Sequence, residues 1–230
     1  TVFYEIGYEF YKRKAEELQA QARAFGLGSK TGIDLPGEVS GRVPDAAWKE
    51  QFNLNYPEYQ LWLPGDTVNM AIGQGDLLAS PLQMALVYAG VANDGTVMQP
   101  HVLKTVLDSE GQAVREVESE VFVRSGASEA SLGVIGRALV DVTEYGTAEG
   151  AFAGFGVTVA GKTGTAEVKG KDDYAWFCAY APADAPRYAV AVIVEQGGHG
   201  GSVAGPAARN ILAQLLGEPI RTVRTTDLSR

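Results

Sequence analysis

The 230-residue sequence is poor in residues that form disulfides and metal sites, since it contains one cysteine and two histidines. A single cysteine excludes a disulfide framework within the chain. Cys178, His101 and His199 are far apart in the sequence, so no metal-ligand spacing is present either. We therefore predict no metal and no other cofactor. Cys178 lies in an apolar segment, which is typical of a buried small hydrophobic residue.

Long apolar runs and concentrated charge are also absent. No stretch approaches the roughly 20 apolar residues of a membrane-spanning helix, and no signal peptide opens the sequence. The net charge of −9 comes from dispersed acidic residues, which argues against a nucleic-acid partner. Because 46% of the residues are hydrophobic, the chain can bury a full core, as one domain with excursions.

The most informative segment is Gly161-Lys162-Thr163-Gly164-Thr165. It follows a strand-like segment at residues 157–160 and precedes another at 174–180, and this order predicts a β-hairpin. A ligand that ends in a carboxylate needs a cation, hydroxyl donors and close backbone approach. Lys162 supplies the charge, Thr163 and Thr165 supply hydroxyls, and Gly164 lacks a Cβ that would block the ligand. These four residues are the predicted substrate-binding residues.

The same region matches the phosphate-loop pattern G-x-x-x-x-G-K-[ST], from Gly156 to Thr163, so a nucleotide-binding NTPase is an alternative. A phosphate loop needs flexible residues between its glycines and a helix that begins at the Lys-Thr pair. Here residues 157–160 are mostly β-branched, and Gly164 follows the pair. The sequence therefore favours a strand over a phosphate loop.

Two further motifs are interpreted as structural. A second Lys-Thr-Gly, at residues 30–32, lies in a glycine-rich loop close to Pro36, with no strand-like segments around it. Residues 200–204 resemble the nucleophile elbow of the α/β-hydrolases, in which the triad histidine follows the serine. Both histidines here precede Ser202, so we interpret this serine as the N-cap of the last helix.

Periodicity and turn signals predict the remaining elements. Helices are expected at about residues 3–25, 81–91, 132–142 and 203–216. Residues 97–123 alternate around a polar turn, which predicts a small hairpin excursion. Residues 188–194 are apolar on both faces, so we expect a central strand with helices on both sides. The predicted fold class is α+β, an α/β/α sandwich with an antiparallel sheet.

Several segments of the sequence together show a specific resemblance to a known family. The sequence resembles the transpeptidase domain of monofunctional class B penicillin-binding proteins at residues 25–41, 71–85, 93–95, 159–166 and 175–177. The likeness extends from about Phe3 to Leu216, and residues 195–202 resemble the elongation-type branch. The resemblance implies the penicillin-binding or serine β-lactamase-like transpeptidase fold. It assigns residues 1–218 to the C-terminal part of that domain and residues 219–230 to a tail.

Two motifs of the family are missing from the sequence. No serine begins a Ser-x-x-Lys, which would supply the nucleophile and base, and none begins a Ser-x-Asn or Ser-x-Asp. We therefore expect the chain to be the C-terminal portion of a longer protein, and to be inactive by itself. The resemblance also implies a membrane anchor upstream and a domain on the cell-wall side of the membrane.

The mechanism implied by the resemblance is acyl transfer through a serine ester. The substrate would be a peptidoglycan stem peptide ending in D-Ala-D-Ala, and β-lactams would trap the ester. Lys162 would keep the site electropositive and assist proton transfer, Thr163 and Thr165 would bind the carboxylate, and the Thr165 N–H would form half of the oxyanion hole. The implied catalytic residues are thus Lys162 and Thr165.

The resemblance leaves some questions of function open. It suggests a membrane glycan polymerase as a partner of the whole protein. A β-lactam sensor or a catalytically silent scaffold remains an alternative. Within the enzyme class, a carboxypeptidase or β-lactamase would differ only in using water to resolve the ester.

Overall fold

The computed structural model describes residues 2–221, which divide between two compact units. The first unit comprises Thr1–Ser80 and Val97–Ser125, and the second comprises Pro81–Thr96 and Gly126–Arg230. The predicted extent of the transpeptidase domain, residues 1–218, stays a prediction. Most of the predicted tail, residues 222–230, lies outside the described residues.

The helices of the first unit are short. They are α1 (Val2–Arg13), α2 (Glu17–Ala24), α3 (Ala46–Phe52) and α4 (Pro64–Ala71), with a 3-10 turn at Pro57–Tyr59. The prediction of a single helix over residues 3–25 is wrong, because the backbone of Lys14 adopts a left-handed φ of 52° and ends α1.

Helix α1 makes its closest contact through a glycine. Phe3 and Ile6 are exposed, whereas Gly7 is buried. A Cβ at Gly7 would lie 2.8 Å from the Cβ of Ala71 in α4, so the absence of a side chain permits this close helix contact.

The predicted hairpin excursion consists of two short ladders. Strand β1 (Thr96–Met98) pairs with β4 (Val121–Arg124), and β2 (Thr105–Leu107) pairs antiparallel with β3 (Ala113–Glu116). Between β1 and β2, the N–H groups of Val102 and Leu103 donate to the Asp34 carboxylate at 2.7 and 2.8 Å. These hydrogen bonds lower the pKa of Asp34 and engage the donors that a continuous hairpin would use.

The second Lys-Thr-Gly lies in a loop of the first unit, as predicted. The N–H and hydroxyl of Thr31 both donate to the Glu38 carboxylate at 2.6 Å, and Thr31 is buried. Gly32 has a φ of 78°, which favours glycine. These contacts indicate a structural turn.

The second unit contains a three-stranded sheet and four helices among the described residues. In chain order they are α5 (Pro81–Ala92), α6 (Glu129–Glu144), α7 (Glu149–Phe152), β5 (Ala160–Ala166), β6 (Tyr174–Ala181), β7 (Tyr188–Val194) and α8 (Ala204–Leu216). The strand order is β5-β6-β7, and both pairs are antiparallel.

Helices cover both faces of this sheet. On one face, Phe177 of β6 packs with Leu212 of α8 and stacks on Phe152 of α7, with the ring centroids 5.3 Å apart. On the other face, a Cβ at Gly136 of α6 would lie 3.1 Å from the hydroxyl of Tyr180. Burial on this face raises the pKa of Cys178 to about 12. The α+β sandwich predicted from the sequence is confirmed.

The strand predictions need two corrections. Strand β5 begins at Ala160, so residues 157–159 precede the strand and the Lys-Thr-Gly itself occupies its middle. Strand β7 has the predicted bounds, but in residues 2–221 it pairs with β6 alone, so β6 is central. Packing of α5 and α8 against β7 accounts for its two apolar faces without a second neighbouring strand.

The interpretation of Ser202 as an N-cap is wrong. The N-cap of α8 is Val203, which has no capping side chain, and the helix begins at Ala204. The hydroxyl of Ser202 instead donates to the carbonyl of His199 at 3.2 Å, within a turn that precedes the helix.

Candidate active site

The Lys-Thr-Gly-Thr segment lies on β5, at an edge of the three-stranded sheet. Side chains alternate along a strand, so Thr163 and Thr165 lie on the same side as Gly161, and Lys162 lies on the other. A Cβ at Gly161 would be 2.7 Å from Cζ of Phe177, which shows how closely β5 packs on the core. The structure thus brings all four predicted substrate-binding residues onto one exposed strand edge.

Lys162 is held against its own strand. Its Nζ donates to the carbonyl of Thr163 at 2.8 Å and to the Thr163 hydroxyl at 3.3 Å. Partial desolvation lowers the pKa of the amine, although much of the side chain remains exposed. No carboxylate of residues 2–221 forms an ion pair with Lys162, so this charge is available to a ligand.

Thr163 has a second partner that the sequence did not predict. The Oγ1 atoms of Thr147 and Thr163 lie 2.7 Å apart and share a hydrogen bond. Thr147 lies in the turn between α6 and α7, so this bond ties the strand to the preceding helical segment. Together with Lys162, it restrains the rotation of the Thr163 hydroxyl.

A glycine-rich loop before α8 passes very close to β5. A Cβ at Gly200 would lie 2.3 Å from the carbonyl oxygen of Trp176 and 2.5 Å from that of Gly164. A Cβ at Gly201 would lie 2.4 Å from the carbonyl oxygen of Thr147. The backbone positions of Gly164 and Thr147 therefore depend on the absence of side chains in this loop.

A cavity of about 690 Å³ opens beside the strand, within the second unit. Its lining includes the hydroxyl-bearing residues Thr147, Thr163, Thr165 and Ser202. It also includes His199, Arg209, Asn210 and Arg221. The two predicted carboxylate-binding threonines therefore line a cavity that is large enough for part of a peptide.

Residues 1–213 match the family described as the penicillin binding protein transpeptidase domain. The chain belongs to this family. Its relatives include the peptidoglycan D,D-transpeptidase MrdA of Acinetobacter baumannii, which is 36% identical over 204 residues. That alignment covers 82% of this chain but 29% of the relative. The chain thus spans about a third of the length of the curated relatives it matches.

Solved structures agree with this membership of the penicillin-binding transpeptidase family. The crystal structure of Pseudomonas aeruginosa PBP2 in complex with WCK 5153 matches with a TM-score of 0.79 at 31% identity, and covers 98% of this chain and 47% of that one. Helicobacter pylori PBP2 in complex with MreC matches with a TM-score of 0.74 at 32% identity. That alignment covers 94% of this chain and 38% of the H. pylori chain. These MrdA and PBP2 relatives confirm the predicted elongation-type branch.

The surroundings of Lys162 in this family member differ from those of a phosphate loop. Lys162 and Thr163 lie inside β5, and β6 follows without an intervening helix. The helix N-terminus that a phosphate loop would direct at its ligand is thus not formed at these residues.

Several residues of the site carry no recognisable sequence signal. Thr147, Arg209 and Arg221 reach the cavity from the α6–α7 turn, from α8 and from the segment after α8. None lies in a recognisable sequence motif, and only the tertiary fold brings them beside β5.

Within residues 2–221, no group of three or more histidine, cysteine, aspartate or glutamate side chains could hold a metal ion. Over the same residues, no helix has the length and apolarity needed to cross a bilayer.

Proposed function

We propose that this chain is the substrate-binding part of a serine-type D,D-transpeptidase that cross-links peptidoglycan. In the full-length protein, a serine would attack the D-Ala-D-Ala bond of a stem peptide and release D-Ala. An amine of a neighbouring stem peptide would then resolve the acyl-serine ester. β-Lactams would acylate the same serine.

One observation carries this proposal. Lys162, Thr163 and Thr165 lie together on the edge strand β5, and the two threonines line a cavity. An extended peptide can lie along such an edge, and its terminal carboxylate would meet these groups. The family membership and the names of the curated relatives favour acyl transfer as the chemistry.

Each residue would have a distinct role. Lys162 would keep the site electropositive and assist proton transfer. The backbone N–H of Thr165 would form half of the oxyanion hole. Lys162 and Thr165 would therefore be the catalytic residues of this chain. Thr163 and Thr165 would bind the substrate carboxylate through their hydroxyls. Gly164 would allow the ligand to approach the strand closely.

The partners and the location are also proposals. One matched structure contains PBP2 bound to MreC, and another concerns a peptidoglycan synthase complex that couples polymerization to crosslinking. We propose that the full-length protein is likewise a membrane-anchored enzyme, with its catalytic domain on the cell-wall side of the membrane. We also propose that it works together with a glycan polymerase. A β-lactam sensor or silent scaffold is the second candidate, and a full-length sequence without any Ser-x-x-Lys motif would favour it.

Fluorescent penicillin distinguishes these candidates. We expect the full-length protein to be labelled on a serine of a Ser-x-x-Lys motif, identified by mass spectrometry of the labelled peptide. The 230-residue chain alone should remain unlabelled because it contains no such motif. A full-length protein that takes up no label would refute the enzyme and leave the silent scaffold. A label that persists without cross-linking activity would favour the sensor.

Thr165→Val should slow β-lactam acylation of the full-length protein about tenfold, because one hydrogen bond to the ligand carboxylate is lost while the backbone N–H is kept. Thr165→Ser retains the hydroxyl and should acylate at close to the original rate. The measurement is the second-order acylation rate constant. A loss in Thr165→Val as large as that in Lys162→Ala would show that the hydroxyl matters more than this assignment allows.

A further inference from the structure

The cavity beside β5 is electropositive in an acidic protein. Among the described residues 2–221, its lining contains the two arginines Arg209 and Arg221 and no aspartate or glutamate. The whole chain, by contrast, carries a net charge of −9. A cavity that is lined by cationic side chains and by no carboxylates favours the binding of an anion.

Arg209 is the buried member of this group. The residue is 6% exposed, and its Nε has no hydrogen-bond partner. One terminal nitrogen, Nη1, donates to the carbonyl of Pro219 at 3.3 Å, and the guanidinium lies 5.0 Å from the centroid of the Phe155 ring. Neither contact neutralises the charge.

Neither arginine is balanced by a counter-ion from the described part of the chain. Across residues 2–221, no carboxylate forms an ion pair with Arg209 or Arg221. Removing a cation from water without a partner is unfavourable, and a buried donor left unpaired adds to the penalty. A bound anion would supply the missing counter-charge.

Arg221 is held at the same cavity by three hydrogen bonds. Its Nη1 donates to the carbonyl of Gly150 at 3.0 Å. Its backbone N–H and carbonyl bond the side chain of Asn210, each at 3.0 Å. The guanidinium of Arg221 is therefore anchored to α7 and its backbone to α8, so less side-chain entropy is lost when it binds a ligand.

We infer that this cavity is a carboxylate-binding subsite, in which Arg209 and Arg221 bind an acidic group of the peptide that lies along β5. This group is separate from the terminal carboxylate assigned to Thr163 and Thr165. The planar guanidinium offers paired N–H donors that match the two oxygens of a carboxylate. The identity of the ligand as a peptide rests on the proposed function, whereas the anion site itself does not.

Saturation-transfer NMR on the full-length protein tests the subsite without any acylation step. The probes are glutarate, its uncharged diamide and inorganic phosphate. Glutarate should bind and the diamide should not. Arg209→Gln and Arg221→Gln should each weaken glutarate binding about tenfold. Arg137→Gln, at an exposed arginine of α6, makes the same charge change and should leave binding unaltered.

Arg209 is buried, so the melting temperature of Arg209→Gln is compared with that of the original protein. Arg221 is exposed, and Arg221→Gln alone decides the test if the other variant does not fold. Glutarate binding that survives both substitutions, or that is lost only in Lys162→Ala, would overturn the subsite. Binding of phosphate without glutarate would overturn its assignment to a peptide carboxylate. Failure of penicillin labelling would refute the proposed function and leave these binding results unaffected.

Discussion

Lys162→Ala should lower the rate of β-lactam acylation by about a hundredfold to a thousandfold in the full-length protein. The substitution removes the cation at the middle of β5 and its hydrogen bonds to Thr163. Because the side chain is partly exposed at a strand edge and packs little, the fold should persist. Stopped-flow or gel-based acylation kinetics, with a thermal melt of the same sample, measure both effects. Unchanged kinetics would remove Lys162 from the site.

Lys162→Arg separates charge from proton transfer. Desolvation lowers the pKa of Lys162 because burial disfavours the charged form, so the amine loses its proton at a lower pH than an exposed lysine does. If the positive charge is what the ligand needs, acylation should fall as the pH rises through this lowered pKa. The arginine variant stays charged and should lack that fall. The same fall in both proteins would assign it to another group.

Gly200→Ala should destabilise the protein by about 2–3 kcal/mol and slow acylation by about a hundredfold. The new Cβ would meet the carbonyl oxygens of Trp176 and Gly164 at 2.3 and 2.5 Å, and neither backbone atom can rotate away. Either the loop or β5 must shift, which moves Thr163 and Thr165 relative to a ligand. Chemical denaturation measures the stability, and acylation kinetics measure the site.

Gly65→Ala is the matched control for this substitution. Gly65 lies in α4, has no heavy atom within 4 Å of an added Cβ, and has no left-handed backbone. Its replacement should leave acylation unchanged and hold or slightly raise stability, since alanine favours a helix. Equal behaviour of the two variants would mean that the loop at Gly200 yields easily and does not position β5.

The site strand was predictable from sequence for a local reason. Lys162, Thr163, Gly164 and Thr165 are consecutive, and the alternation of a strand fixes which of them share a side. The strand of residues 188–194 was equally predictable from its apolar run. The position of this strand in the sheet was not predictable. An apolar strand that is covered by helices on both faces has the same sequence pattern whether it pairs with one neighbouring strand or with two.

Two helix ends were predicted wrongly from local sequence. Ser202 has the residue type of an N-cap, yet its hydroxyl bonds to His199 and the helix begins two residues later. The break at Lys14 divides a helix that periodicity predicted to be continuous. In both cases a hydrogen bond or backbone conformation set by the surrounding chain replaced the local preference.

The sequence by itself determined the family, the α+β class and the four residues of the strand edge, because these depend on short motifs and on periods of two and 3.6 residues. The tertiary structure decided which distant groups join them. Thr147 bonds Thr163, Gly200 lies against Gly164, and Arg209 and Arg221 share a cavity with the threonines. Such contacts join residues far apart in the chain, and their distances depend on how helices and strands pack, which no local pattern encodes.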